Sequence, residues 1–166
     1  MILGLSIPAF TLIHVIISVI AIASGLIVLV GMLGSRRLPG WTALFLLATA
    51  LTSISGFLFP ATAITPAQIF GYLSLAVLAA ALFALYVFRL AGPWRWLYVG
   101  AAVIALYLNA FVFVVQAFAK LPVLHSLAPN ATEPPFLFAE GALLAVFIVL
   151  GFLALVRFHP ERHAAA

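Results

Sequence analysis

The sequence predicts an all-α fold: an integral membrane bundle of five transmembrane helices, forming a single domain over residues 1–166. Three observations lead to this prediction, namely the composition, five long apolar segments, and positive charges concentrated on one side. Of the 166 residues, 67% are hydrophobic and only 6% are charged, against about 45–50% and about 25% in soluble domains. A soluble fold would have too few polar residues to cover its exterior, so we expect the lipid bilayer as solvent and partner.

Each of the five apolar segments is long enough to cross a hydrocarbon core about 30 Å thick, which needs about 20 helical residues. Turn-forming residues separate them, and Pro93 and Pro135 suit helix starts. The second segment is the least apolar because it carries Thr49, Thr52 and Ser53, so four spans with a re-entrant second segment form the alternative. The predicted spans are 9–33, 41–60, 67–91, 95–119 and 136–157.

The positive charges give the predicted bundle an orientation. Six arginines lie beside the connections between spans one and two and spans three and four, or after span five, whereas Lys120 lies on the other side. Because Lys and Arg favour the cytoplasmic side, we expect the N-terminus outside and the C-terminus in the cytoplasm. This distribution accounts for the net charge of +4 without a nucleic-acid partner.

The fourth span carries three polar residues on one face. Asn109, Gln116 and Lys120 follow one another at spacings of seven and four residues, which places their side chains within about 40° of one another on a helix. Such side chains either join neighbouring helices through hydrogen bonds or line a site. Their polarity rises towards the outer end of the span.

Other spans place polar residues in the same outer half. His14 lies one or two turns below the outer surface, Ser53 lies in the outer half of span two, and Glu140 enters from the outer end of span five. Ionisable residues within a bilayer usually face protein or water and mark functional sites. We therefore predict a ligand-binding pocket that opens outwards and is lined by His14, Ser53, Asn109, Gln116, Lys120 and Glu140.

The long connection at 120–136 lies on the same outer side. Its four prolines oppose a long regular helix, but its leucines give it apolar surface to bury. We predict that it folds back as a lid with a short helical turn around 122–127, a stiff surface connector being the alternative. The predicted lid residues are Leu124, His125, Leu127 and Glu133.

The residue types limit the chemistry of this site. The chain has no cysteine and no aspartate, so we expect neither a thiolate metal site nor Ser/His/Asp catalysis, and no residue is predicted to be catalytic or to bind a metal. His14 is the one histidine within a span, and His125 lies on the same side. No cofactor is predicted, with haem or a quinone as the alternatives.

These features favour a non-enzymatic membrane protein, acting as an accessory subunit or as a binder of a small lipophilic ligand. One alternative is a small transporter, which would need a homo-oligomer or a partner in a membrane complex to form a path. The other is a quinone- or haem-linked redox protein, in which Tyr107 would join His14 and Glu140 at a quinone.

Several strings resemble one group of bacterial proteins. They are SRRLPGW at 35–41, SGF at 55–57 and WRW at 94–96, together with GPWRWLYVGAAVIALYLNAFVFVVQAFAKLP and APNATEPPF. Over most of its length the chain resembles uncharacterised small multi-spanning inner-membrane proteins of alphaproteobacteria. The resemblance implies a multi-pass protein of the bacterial inner (plasma) membrane and no known activity.

Overall fold

The computed structural model describes residues 1–61 and 65–160, and every long element in these ranges is a helix. The all-α prediction is therefore confirmed for the described residues. A five-residue π-helical turn, Phe83–Val87, continues the third helix. The helices are α1 (Ile7–Leu33), α2 (Pro39–Gly56), α3 (Pro66–Leu82), α4 (Trp94–Lys120), α5 (Pro122–Leu127) and α6 (Pro134–Arg157).

Four helical segments of the described chain are long and apolar enough to cross a membrane: Ile7–Leu33, Gln68–Val87, Trp94–Lys120 and Pro134–Arg157. They coincide with the first, third, fourth and fifth predicted spans and indicate a membrane protein. Helix α2 coincides with the second predicted span but is not among the four. Its 18 residues extend over about 27 Å at the rise of an α-helix, and its hydroxyl side chains lower its hydropathy.

Helix α2 ends earlier than the span predicted for it. Its last residue is Gly56, and the amide of Phe57 bonds to the carbonyl of Ile54, three residues back. Such tighter bonds are common in the last turn of a helix. Pro60 then disfavours a helical conformation in the residue before it, so the helix does not resume before residue 60.

The third membrane segment ends in a π turn that was not predicted from the sequence. The Phe88 amide bonds to the Phe83 carbonyl, five residues back, at 3.0 Å. Arg89 and Leu90 then take positive φ angles of 49° and 63°, which L-residues adopt rarely. The helical segment therefore stops at Val87 rather than at residue 91.

Helices α1 and α2 form an antiparallel pair over most of their length. A short turn joins them. The segment from Leu38 to Phe59, which contains α2, then packs along α1 from the end of α1 back towards its start. Small residues on α1 allow the helices to approach closely near the turn, and aromatic rings pack at the other end. The paired residues are Gly31 with Leu38, Gly25 with Phe45, His14 with Ser55, and Phe10 with Phe59.

Helix α4 is the central helix of the bundle. It packs against α3, α6 and α1 and touches α2 more lightly, and its buried residues run from Tyr98 to Phe118. At Gly25 of α1 an added Cβ would lie only 2.6 Å from Leu106 Cδ1 and 2.8 Å from Phe45 Cε2. The absence of a side chain at Gly25 therefore lets α1, α2 and α4 meet at one level.

Five arginines collect at one end of the bundle, which we call the arginine end. The Arg95 guanidinium donates to the Phe158 carbonyl, and the His159 amide donates to the Ser35 hydroxyl at 2.8 Å. The end of α1, the start of α4 and the end of α6 therefore meet here. Arg162, which belongs to the same predicted group, lies outside the described residues. The five are Arg36, Arg37, Arg89, Arg95 and Arg157.

Candidate functional site

Glu140 is a buried carboxylate on the face of α6 that packs against α4. Its side chain is 8% exposed, and neither Oε1 nor Oε2 has a hydrogen-bond partner among the described residues. The other buried residues of α6 recur on this face at helical spacing. They are Phe136, Phe147, Gly151 and Ala154.

The nearest part of α4 also carries the Tyr107 phenol, on the face that packs against α6. Its ring lies 5.7 Å from that of Phe147, two turns after Glu140 on α6, and the phenol is within electrostatic range of the carboxylate. A buried carboxylate that lacks hydrogen bonds is strongly disfavoured as an anion, and within a membrane such groups mark functional sites. Glu140 is therefore either protonated or satisfied by a molecule that binds beside it.

His14 is held against α2 by a hydrogen bond. Its Nδ1 atom lies 2.7 Å from the Ser55 hydroxyl oxygen, and that hydroxyl donates its proton to the Thr52 carbonyl at 3.1 Å. We assign the Ser55 proton to the Thr52 carbonyl, so that the neutral imidazole carries its proton on Nδ1 and leaves Nε2 as an acceptor. Phe59 packs edge-on against the ring at 5.3 Å.

Asn109 joins the central helix to α2. Its Nδ2 atom donates to the Thr49 hydroxyl at 3.1 Å, and both side chains are buried. Ser53 is also buried and lies one turn after Thr49 on the same face of α2. This face of α2 therefore presents hydroxyl groups towards the interior of the bundle.

The hydrogen bonds among the described residues do not join the six predicted pocket residues to one another. His14 bonds to Ser55 rather than to Ser53, and it lies within electrostatic range of Lys120. Glu140 lies instead with Tyr107 on the interface between α6 and α4. Gln116 is half-buried and Lys120 is exposed, both in the last two turns of α4.

Two partners of the predicted residues were not proposed as site residues, namely Thr49 and Ser55. Both belong to the cluster of hydroxyl residues in the second span, and this cluster was the available sequence signal. Only the rotation of α2 about its axis decides which hydroxyl meets Asn109 and which meets His14. A single sequence does not specify that rotation.

The connection between α4 and α6 contains a short helix, α5, at Pro122–Leu127. Leu124 packs against a small apolar cluster of Phe118, Ala128 and Phe136. His125 is exposed, and Leu127 is 52% exposed. Of the predicted lid residues, Leu124 therefore contacts the bundle, whereas His125 and Leu127 are exposed on the surface of α5.

Glu133 stabilises the loop that leads into α6. Its carboxylate accepts from the Asn130 side chain at 2.9 Å and from the amides of Thr132 and Asn130 at 3.0 and 3.2 Å. Partial desolvation raises the pKa of Glu133, but these hydrogen bonds outweigh it and hold that pKa below its usual value. The Glu133 carboxylate therefore stabilises the loop by accepting hydrogen bonds from Asn130 and Thr132.

Within the described ranges, no group of three or more His, Cys, Asp or Glu side chains is arranged to hold a metal ion. No protein-family model, curated protein or solved structure matches the chain. The fold and its buried polar groups therefore define a membrane helical bundle with a candidate site between α4 and α6.

Proposed function

We propose that this protein is a non-enzymatic, multi-pass protein of the bacterial inner membrane that binds a small lipophilic ligand in the outer half of its bundle. The chain crosses the bilayer five times, with the N-terminus outside and the C-terminus in the cytoplasm. Glu140 is the group that recognises the ligand, and Tyr107 on the facing helix α4 is within electrostatic range of it. His14 and Lys120 form a second polar group on the same side of the bundle.

Two features support the crossing by α2, which makes the fifth span, and the proposed orientation. The segment that contains α2 runs back beside α1 from Leu38 near Gly31 to Phe59 near Phe10, so it occupies the same depth as a helix that is long enough to cross. The arginines lie together at one end of the bundle, which the positive-inside tendency assigns to the cytoplasm. The opposite end, with Lys120 and α5, then faces outwards.

The observation that carries the proposed ligand site is the unpartnered carboxylate of Glu140. A carboxylate accepts hydrogen bonds from an amine, amide or hydroxyl group, and a protonated carboxyl also donates one to a carbonyl. The rest of the α6 stripe is apolar. The fitting ligand class is therefore a lipophilic molecule with one polar group.

A lipophilic carbodiimide tests this site directly. Dicyclohexylcarbodiimide couples to protonated carboxyl groups in apolar surroundings, so incubation of the purified protein should yield an adduct on Glu140 that peptide mass spectrometry detects. The variant Glu140→Gln should give none there while keeping the fold, because an amide replaces the carboxyl at the same volume. Glu133 is the internal control: its carboxylate is hydrogen-bonded in an exposed loop and should stay unmodified.

The result has a clear contrary outcome. An unreactive Glu140, or equal modification of Glu133 and Glu140, would show that no lipophilic molecule reaches a protonated Glu140 selectively. If the adduct forms, organic extracts of wild-type protein and of Glu140→Leu should differ in one co-purified small molecule. Identical extracts would leave Glu140 accessible but without a retained ligand, and would contradict the binding proposal.

A further inference from the structure

A cavity of about 360 Å³ opens at the arginine end, between α1, α2, the π turn and α4. Apolar side chains make up much of its lining, and polar side chains join them. The wall is formed by Val28, Met32, Leu85, Leu90 and Phe158. Arg36 and Arg37 are exposed and form the rim of the cavity, and the buried side chains of Thr42 and Tyr98 add two hydroxyl groups to its lining.

The rim is positively charged without a neighbouring carboxylate among the described residues. The acidic residues of the described ranges are Glu133 and Glu140, which lie in the loop before α6 and in its second turn. Arg36 and Arg37 precede α2, and both are exposed. The cavity is therefore suited to an anion, and planar guanidinium groups match phosphate oxygens in particular.

An apolar groove adjoins this cavity on the side of α1 that faces away from the rest of the bundle. The groove has a volume of about 540 Å³ and is lined by Leu26, Ile27, Val30, Gly31 and Gly34 together with Arg36 and Leu38. Arg36 and Leu38 line both spaces. Val30 is 68% exposed on a helix long enough to cross the membrane, so the groove faces lipid.

The backbone around the cavity is specialised. Ser35, Arg89 and Leu90 have positive φ angles of 55°, 49° and 63°, and the π turn carries Leu85 into the wall. Non-glycine residues in this region of φ are uncommon and cost free energy, and π turns within helices are frequent at functional sites. Three of the five non-glycine residues with positive φ in the described ranges thus lie at the arginine end, whereas Leu3 and Ala131 lie elsewhere.

We propose that this cavity and groove bind one anionic phospholipid, with its phosphate at Arg36 and Arg37 and an acyl chain along the groove on α1. The juxtaposition of two arginines with a membrane-facing apolar groove matches the two parts of such a molecule. Basic pockets between membrane helices bind anionic headgroups for this reason. The site is distinct from Glu140, which lies towards the other end of the bundle.

Short-chain lipids test this inference with the full chain purified in a neutral detergent. Dioctanoyl phosphatidylglycerol should raise the unfolding temperature in a concentration-dependent way, since a ligand that binds the folded state stabilises it. Dioctanoyl phosphatidylcholine should not, because its headgroup has no net charge. The double variant Arg36→Gln, Arg37→Gln should weaken the phosphatidylglycerol effect by roughly tenfold or more, as expected for lost ionic hydrogen bonds.

A matched control separates the cavity from the general charge of this end. Arg157→Gln removes a positive charge at the arginine end but outside the cavity lining, and it should leave the lipid effect unchanged. Equal loss in Arg157→Gln, or equal stabilisation by both lipids, would overturn the proposal. Glycerol 3-phosphate supplies the phosphate without acyl chains, so an equal effect from it would show a site for soluble phosphate and would also overturn it.

Discussion

Thr49 and Asn109 share a hydrogen bond of 3.1 Å inside the bundle, although 60 residues separate them in the chain. The bond joins α2, the least apolar of the predicted spans, to the central helix α4. Both side chains are buried, so loss of either partner leaves a polar group in apolar surroundings.

Thr49→Val should destabilise the protein by about 0.6–1.7 kcal/mol, from the average to the largest value measured for side-chain hydrogen bonds between membrane helices. Unfolding in mixed detergent measures the change. Thr52→Val is the matched control on the same helix, because the Thr52 hydroxyl is buried and has no partner. It should be neutral or stabilising, and equal costs in the two variants would show that the Asn109 bond contributes nothing.

Gly25→Ala should destabilise the bundle relative to Gly100→Ala by about 1–3 kcal/mol, the usual cost of overpacking. A Cβ at Gly25 would meet Leu106 and Phe45 at under 3 Å, whereas one at Gly100 meets nothing within 4 Å. Both positions are helical, so the gain in helix propensity cancels in the comparison. Equal thermal unfolding of the two variants would contradict the close approach of α1, α2 and α4.

His14 should be a neutral imidazole with its proton on Nδ1. Histidine-selective ¹⁵N NMR of the detergent-solubilised protein reports the tautomer, and the Nε2 resonance should be that of an unprotonated nitrogen. Ser55→Ala removes the acceptor at 2.7 Å and should shift the population towards the Nε2-protonated form. A wild-type spectrum dominated by that form would contradict the assigned hydrogen bond.

The loop before α6 should lose order in acid. Desolvation raises the pKa of Glu133, but the hydrogen bonds that Asn130 and Thr132 donate to the carboxylate together outweigh it, so this pKa lies below its ordinary value. Its stabilising effect is complete above the unfolded-state pKa, about 4.3, and is lost as the pH falls through the lower folded-state value. Pulsed hydrogen exchange at the Thr132 amide, which donates to Glu133, measures this loss as reduced protection at low pH.

Glu133→Gln is the control for this acid effect. It removes the titrating group, so exchange at Thr132 should be faster than in wild type at neutral pH and should show no further loss of protection in acid. An acid response of equal size in wild type and variant would assign the effect to another group.

Much of the helix layout follows from composition alone. Four of the five apolar segments recur as helices long and apolar enough to cross a membrane, because the length of a span is set by the bilayer and needs no tertiary contact. The starts of α4 and α6 also follow from Pro93 and Pro135 and their neighbours.

The site was less predictable because it depends on how helices rotate and on which helix lies at the centre. Asn109, Gln116 and Lys120 share one face of α4, yet Asn109 bonds into α2 while Lys120 is exposed at the helix end. The polar stripe therefore serves different neighbours along its length. The π turn also lacks a proline or glycine to indicate it, since FALYV is an ordinary apolar string.

The central position of α4 has a consequence for biosynthesis. The α1–α2 hairpin is made first, and the 60 residues between Thr49 and Asn109 take roughly 3–12 s to synthesise at typical rates. In the five-span topology proposed above, the Gly25 surface and the Thr49 hydroxyl lie in the membrane during that interval without Leu106 and Asn109 to cover them. The nascent hairpin therefore needs shielding at these two positions until α4 enters beside it, and α6, which is made last, then packs against α4.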